Sequence, residues 1–214
     1  MYLRWIYHEG AALQLPPEGY YPSGLPFLNG GIMKFGPLFV TDRCGQKIEL
    51  RSAALSDSDA LITFLKTTSG ETPYLIREPD EVQVTPEQER AFLQNKIDAE
   101  RDLLLLAFAD GKHIGNCSLM SMGDYRRYAH RCTVAIALYQ AYCGRGIGRL
   151  MLETVLQAAK EIGYEQAELE VMAGNTGAVA LYEKLGFRRY GTFPRNAKYA
   201  DGSYDSAYWM MKEL

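Results

Sequence analysis

Two apolar segments joined by a glycine loop constrain this chain more than any other feature. Thr133-Val134-Ala135-Ile136-Ala137-Leu138 is a continuous run of strand length, and Ile147, Leu150, Met151, Thr154, Val155, Ala158 and Ile162 recur at helical spacing. Between them stands Tyr142-Cys143-Gly144-Arg145-Gly146-Ile147-Gly148. A strand that feeds a helix through such a loop turns main-chain N–H groups toward one point. The free amides and positive dipole end of the helix then attract an anion there. Glycines let a bulky pyrophosphate approach the backbone without meeting a Cβ. The plainer alternative is a turn that only links strand to helix.

The spacing argues against two familiar phosphate ligands. A nucleotide P-loop needs G-x-x-x-x-G-K-[ST], and here Arg149-Leu150 follow the last glycine, so the lysine and the metal-binding hydroxyl are missing. A dinucleotide fingerprint needs glycine where Arg149 stands and a βαβ unit at the start of the chain.

A second element lies downstream. After the strand-like Ala167-Glu168-Leu169-Glu170-Val171 comes Asn175-Thr176-Gly177-Ala178-Val179-Ala180-Leu181-Tyr182-Glu183-Lys184-Leu185-Gly186-Phe187. Asn175 reads as an N-cap, Ala178, Leu181, Tyr182 and Leu185 form one helical face, and Gly186 is a terminator. Taken with the first element, this resembles the GNAT superfamily of N-acetyltransferases. That family's acetyl-CoA loop reads [QR]-x-x-G-x-[GA], and its next helix carries N-x-x-A-x-x-L-Y-x-x-x-G-F. The resemblance covers roughly residues 46 to 214.

The resemblance implies acetyl-CoA as cosubstrate and no metal. Cys143, Gly144, Arg145, Gly146, Ile147, Gly148 and Arg149 would cradle the pyrophosphate. The strand edge through Ile136 and Leu138 would pair with the pantetheine arm, an N–H near Leu138 would meet the thioester oxygen, and Asn175, Ala178 and Tyr182 would line the arm. Tyr182 is the implied general acid for the departing thiolate; on helical spacing alone it is a core aromatic. Two positions depart from the family pattern. Cys143 replaces the [QR] side chain, and Thr133 stands where many relatives place a Glu, a position at which threonine cannot act as a base.

The base is therefore open. Glu168 and Glu170 share one face of a strand, ordinarily a solvated one, and Glu170 is the candidate, with ordered water as the alternative carrier and His130 as a second side chain. Glu78, Asp80 and Glu81, in the connection between the first two helices, are candidates to receive an ammonium group. The expected reaction is direct acetyl transfer to a primary amine of a small molecule or peptide, without a covalent intermediate. Cys143 lies on the phosphate loop with no adjacent histidine to activate it. A non-catalytic acyl-CoA-binding module is the rival, and it would have no need of Tyr182; a protein N-terminus or lysine is the rival acceptor.

Composition narrows the partners. A net charge of −3 with no run of Lys or Arg speaks against nucleic acid. Cys44, Cys117, Cys132 and Cys143 form no C-x-x-C pair, and with only His8, His113 and His130 neither a zinc site nor a disulfide framework is suggested. The longest apolar run, Leu103 to Ala109, is too short to span a bilayer, and the N-terminus has no basic flank before an apolar stretch, so a cytoplasmic protein is expected.

Residues 1–45 read as an extension. Pro16-Pro17, Gly19, Pro22, Gly24, Pro26, Gly30-Gly31 and Pro37 exclude long helices, while Tyr2, Trp5, Tyr7, Tyr20, Tyr21, Phe27, Phe35 and Phe39 are too many for plain disorder. Packing on the domain is expected, with a partner or homodimer contact as the alternative, and Met33 to Val40 suits a strand that turns at Asp42-Arg43-Cys44-Gly45. Residues 46–214 read as one domain. Lys47 to Arg51 alternates as a strand, Ser56 to Asp59 forms a capping box, and Thr85-Pro86-Glu87-Gln88 opens a second helix. Strands are expected at Leu103 to Ala109, Ile114 to Met122, up to Leu138, and at Phe187 to Phe193 and Tyr204 to Lys212. The order β-α-α-β-β-β-α-β-α-β-β gives an α/β (mixed α+β) fold. Its GNAT-like topology, a central twisted sheet, mixed but mostly antiparallel, with helices on both faces, follows from the resemblance.

Overall fold

A computed structural model of the chain describes residues 27–29, 32–123 and 125–214. Strands β1 (Phe27–Asn29) and β2 (Ile32–Lys34) form a small antiparallel pair. The main sheet contains β3 (Leu38–Thr41), β4 (Lys47–Ser52), β5 (Leu103–Ala109), β6 (Lys112–Ser121), β7 (Arg131–Leu138), β8 (Gln166–Met172), β9 (Arg188–Lys198) and β10 (Tyr204–Glu213), in the spatial order β3-β4-β5-β6-β7-β8-β10-β9. Neighbours are antiparallel except β7 and β8. That one parallel step requires a crossover, which α3 (Ile147–Ile162) supplies.

Helices cover both faces. On one, α3 and α4 (Thr176–Lys184) bury Ile147, Met151, Val155, Leu181 and Tyr182 against Leu105, Leu119, Ile136 and Leu169. On the other, α1 (Ser58–Glu71) and α2 (Pro86–Asp98) bring Leu61 and Leu93 onto Leu104, Leu106 and Phe108. Strand β5 is thus buried on both sides, which is why its sequence is uninterruptedly apolar rather than alternating. Among the described residues no helix is long and apolar enough to cross a membrane.

Several local expectations need adjustment. The turn before α1 is not capped by Ser56 with Asp59. A short 3₁₀ turn, Leu55–Asp57, precedes the helix, and the Asp57 carboxylate accepts from the Ala54 N–H at 2.8 Å while gripping both Nη atoms of Arg51 at 2.8 Å. An acid with an arginine partner outcompetes the serine. The α2 cap is as read: Thr85 Oγ1 accepts from the Gln88 N–H, and Gln88 Oε1 accepts from that of Thr85. Strand β9 runs five residues beyond the expected Phe193, to Lys198. The strand expected within Met33 to Val40 is divided: Ile32–Lys34 joins β1, and Leu38–Thr41 pairs with Lys47–Leu50 as the outer strand of the main sheet. Phe35, between them, is buried and donates its N–H to Ser52 Oγ at 2.7 Å. The aromatics from Tyr2 to Tyr21 lie outside the described residues.

Candidate active site

Strands β7 and β8 pair over only three residues, Arg131–Thr133 with Gln166–Glu168. Beyond that point the sheet opens. Arg131 and Tyr139 direct main-chain groups to β6, through Met122 N–H to Arg131 O and Tyr139 N–H to Ile114 O. Strand alternation then turns the peptide groups of Val134, Ile136 and Leu138 toward β8. Where the partner strand has diverged, these groups form an internal edge, a template for an extended, amide-bearing ligand. Ile136 and Leu138, the expected cosubstrate-edge residues, lie on this stretch of β7.

The glycine loop lies at the carboxyl end of this edge. Residues Gln140–Tyr142 make a 3₁₀ turn, and the Cys143 N–H is already donated to Gln140 O at 3.1 Å, so Cys143 contributes no amide to the cradle. The next five amides, Gly144 to Gly148, have no acceptor among the described residues. Gly144 and Gly146 have φ of 74° and 100°, left-handed values that glycine adopts without strain, and Gly146 is the N-cap of α3. A Cβ built on Gly144 meets nothing within 4 Å. Neither loop arginine projects a free cation. Arg145 donates from Nε to Asp42 Oδ2 at 2.8 Å and from Nη2 to Gln46 Oε1 at 2.6 Å, while Arg149 binds Glu153 at 2.9 Å. Anion attraction rests on the backbone and the helix dipole. Burial, followed by the charge of Glu71, pushes the Cys143 thiol up, which weakens it as a nucleophile.

On the same face, α4 follows β8. Asn175 Oδ1 accepts from the Ala178 N–H at 3.2 Å, which makes it the cap expected. Ala178 and Tyr182 are buried in the cluster that holds Ile136, Leu138 and Val171, and the Tyr182 ring meets the edge of Phe187 with centroids 5.8 Å apart.

The opposite face corrects the reading of the two strand glutamates. Neither is simply solvated. Glu168 is buried and paired to Arg131 through both carboxylate oxygens; burial alone would raise its pKa, but hydrogen bonds from Arg131 and Gln166 bring it below the ordinary carboxylate value. Glu168 is thereby committed to structure. Glu170 is two residues nearer the opening, held by Trp209 Nε1 at 2.9 Å and Asn196 Nδ2 at 3.1 Å. Beside Glu168 in register is Thr133, whose Oγ1 is buried with no partner among the described residues.

Two connections meet above this face at Gly174. Tyr74 donates its hydroxyl to Gly174 O at 2.9 Å, and Asp205 Oδ2 accepts from the Gly174 N–H at 3.0 Å and from the Tyr199 hydroxyl at 3.3 Å. The α1–α2 connection and the β9–β10 hairpin are thus latched together beside the end of β8. Glu78, Asp80 and Glu81 do not share in this. They are exposed in their own 3₁₀ turn, where Glu81 accepts the Glu78 N–H. The sequence reading missed Asn196, Asp205 and Trp209. No local motif marks them; each acts on a residue 26 to 39 positions away.

Residues 71–187 match the model of the acetyltransferase (GNAT) family. The chain is 29% identical over 178 residues to an N-alpha-acetyltransferase of Sulfurisphaera tokodaii, covering 82% of this chain and 99% of the relative. It is 37% identical over 87 residues to the N-alpha-acetyltransferase MAK3 of Arabidopsis thaliana, covering 41% of this chain and 45% of that protein, so the match spans less than half of the plant relative. Among solved structures, a GNAT-family acetyltransferase from Streptococcus pneumoniae superposes with a TM-score of 0.74 at 29% identity, over 78% of this chain and 99% of that one.

Proposed function

The chain belongs to the acetyltransferase (GNAT) family, and from that premise we propose that it transfers acetyl from acetyl-CoA directly to a primary amine, the α-amine of a peptide, in a ternary complex. The observation that carries the proposal is the opening between β7 and β8 with an amide cradle at its carboxyl end. The names of the Sulfurisphaera and Arabidopsis relatives support the α-amine.

The roles follow from position. The amides of Gly144 to Gly148 hold the diphosphate of coenzyme A, and Ile136 and Leu138 pair with the amides of its pantetheine arm. The main chain at Leu138 polarises the thioester carbonyl. Glu170, on the opposite face, accepts the proton of the amine through ordered water, while Trp209 and Asn196 fix the carboxylate. Tyr182 gives its hydroxyl proton to the departing thiolate. The raised Cys143 thiol has no part.

The test is CoA release from acetyl-CoA with short peptides, the same peptides blocked at the N-terminus, free lysine and a polyamine. Free-N-terminal peptides should turn over, double-reciprocal plots should intersect, and Cys143→Ala should keep most of the rate. Parallel plots with an acetylated Cys143 peptide would overturn direct transfer. Turnover of the polyamine and of no peptide would overturn the acceptor.

A further inference from the structure

The turn between β3 and β4 is fastened to the phosphate loop by an unusually complete set of contacts. Asp42 has a fully buried side chain. One of its carboxylate oxygens accepts the N–H groups of Cys44 and Gln46, both at 2.9 Å, and the other accepts Arg145 Nε at 2.8 Å. The Arg43 N–H donates to Arg145 O at 2.9 Å, and the Arg145 guanidinium lies over Tyr142, 4.8 Å from the ring centroid. A residue of the turn is therefore hydrogen-bonded through its main chain to the loop that carries the five open amides. None of these turn residues falls within the stretch matched by the family model, which begins at residue 71.

Among the cations here, only some are spent. The charge of Arg145 is met by Asp42, and Lys47 lies over the Phe39 ring at 4.0 Å. Asp110, the nearby acid, accepts from Gln46 Nε2. Arg43 is exposed and has no carboxylate partner among the described residues. Its position is fixed by its own N–H, and its guanidinium, on a long side chain, reaches several ångströms around the loop.

Topology gives that cation a target. The pantetheine arm has to turn toward β8 to reach the opening, and the β3–β4 turn lies on the other side of β7 in the sheet. An arm that runs to β8 would leave the nucleotide end on the other side of the cradle, the side of the turn. Resting on the cosubstrate proposed above, we infer that Arg43 is a binding residue for the 3′-phosphate of coenzyme A, held in place by the clamp that Asp42 forms with Arg145. Guanidinium is suited to this, since it presents several N–H donors to a phosphate at once.

Calorimetric titration of coenzyme A and 3′-dephospho-coenzyme A into the parent, Arg43→Gln and Arg43→Lys tests the inference. An exposed contact of this kind is worth roughly a threefold to fivefold preference for the 3′-phosphorylated ligand in the parent. Arg43→Gln should erase that preference by weakening coenzyme A alone, and Arg43→Lys should restore part of it at low salt. A parent that binds both ligands equally, or an Arg43→Gln variant that keeps the preference, overturns the assignment while leaving the cosubstrate intact. Failure of the parent to bind either ligand would instead remove the cosubstrate and this inference with it.

Discussion

Replacing Gly115 by alanine tests the geometry of the site from behind. Gly115 of β6 stands opposite Leu138 of β7, and a Cβ at that position would lie 2.1 Å from Leu138 Cδ2 and 2.7 Å from the Ala137 carbonyl oxygen. The first contact can be eased by a change of side-chain rotamer, though Leu138 is 5% exposed and has little room. The second cannot, because it is main chain held in the sheet. Relief requires β6 and β7 to separate by roughly half an ångström, an overpacking strain of about 1–3 kcal/mol. For a chain of this size that lowers the melting temperature by roughly 3–10 °C. The displaced peptide is the one proposed to face the thioester, so kcat should fall by about tenfold, a fraction of the ~10²-fold that a full ångström of misplacement costs. Thermal unfolding followed by circular dichroism reads the first effect and steady-state CoA release the second. Gly36→Ala, where a Cβ meets nothing within 4 Å, is the control and should melt at or slightly above the parent. A Gly115→Ala protein with the parent's melting temperature and turnover would refute both the packing argument and the place given to Leu138.

Two further perturbations separate chemistry from packing. Tyr182→Phe keeps the buried ring and its contact with Phe187, so acetyl-CoA affinity should hold while kcat drops by roughly 10²-fold, and a variant within about threefold of the parent would return Tyr182 to a packing role. His113 is held down to about 4, first by burial, with the hydrogen bond to Gly115 O and the charge of Asp57 only partly opposing. The unfolded chain therefore binds a proton between pH 6.5 and about 4 that the folded chain refuses, so this contribution is whole above the unfolded value and is lost as pH falls through that window, by about 3 kcal/mol. Urea midpoints measured from pH 7 to 4 should fall more steeply for the parent than for His113→Gln, and equal slopes would contradict the burial argument.

What the sequence made legible was local. The strand, loop and helix around Gly144 to Gly148, the Asn175 cap and the Thr85 cap each depend on residues a few positions apart, and each appears where its chemistry puts it. The fate of Glu168 and Glu170 was not local. Period-two alternation predicts a polar face for both, but whether that face meets water depends on Arg131, 37 residues earlier, and on Trp209, 39 residues later. The latch at Gly174 joins Tyr74 across 100 residues, and no spacing rule reaches that far. Strand β3 was expected, but as one piece from Met33 to Val40; the Gly36-Pro37 step divides it, and only Leu38–Thr41 survives as the outer strand, the place in a sheet where a strand beside such breakers is tolerated.

No residue pattern marks where β7 and β8 part, and an open strand edge at Ile136 and Leu138 was expected only from the family resemblance, yet the opening follows from a step that was visible. A helical segment between them, Ile147 to Ile162, long enough to carry the chain back across the sheet, implies a parallel pair. That crossover has two consequences at one end of the molecule. It delivers the N-terminus of α3, with its open amides, to the carboxyl end of β7, and it joins β7 to β8 without a hairpin tying their ends together, so the two strands can diverge there. After the divergence β8 finds its full-length partner in β10, which pairs with it from Gln166 to Met172, and β7 keeps β6. The edge of Val134, Ile136 and Leu138 is then left to a ligand at no cost to the rest of the sheet. Cradle and opening are in this sense a single feature of topology, so a perturbation confined to the loop should weaken anchoring without closing the strands, and one that moves β7 should impair transfer while the cradle still binds.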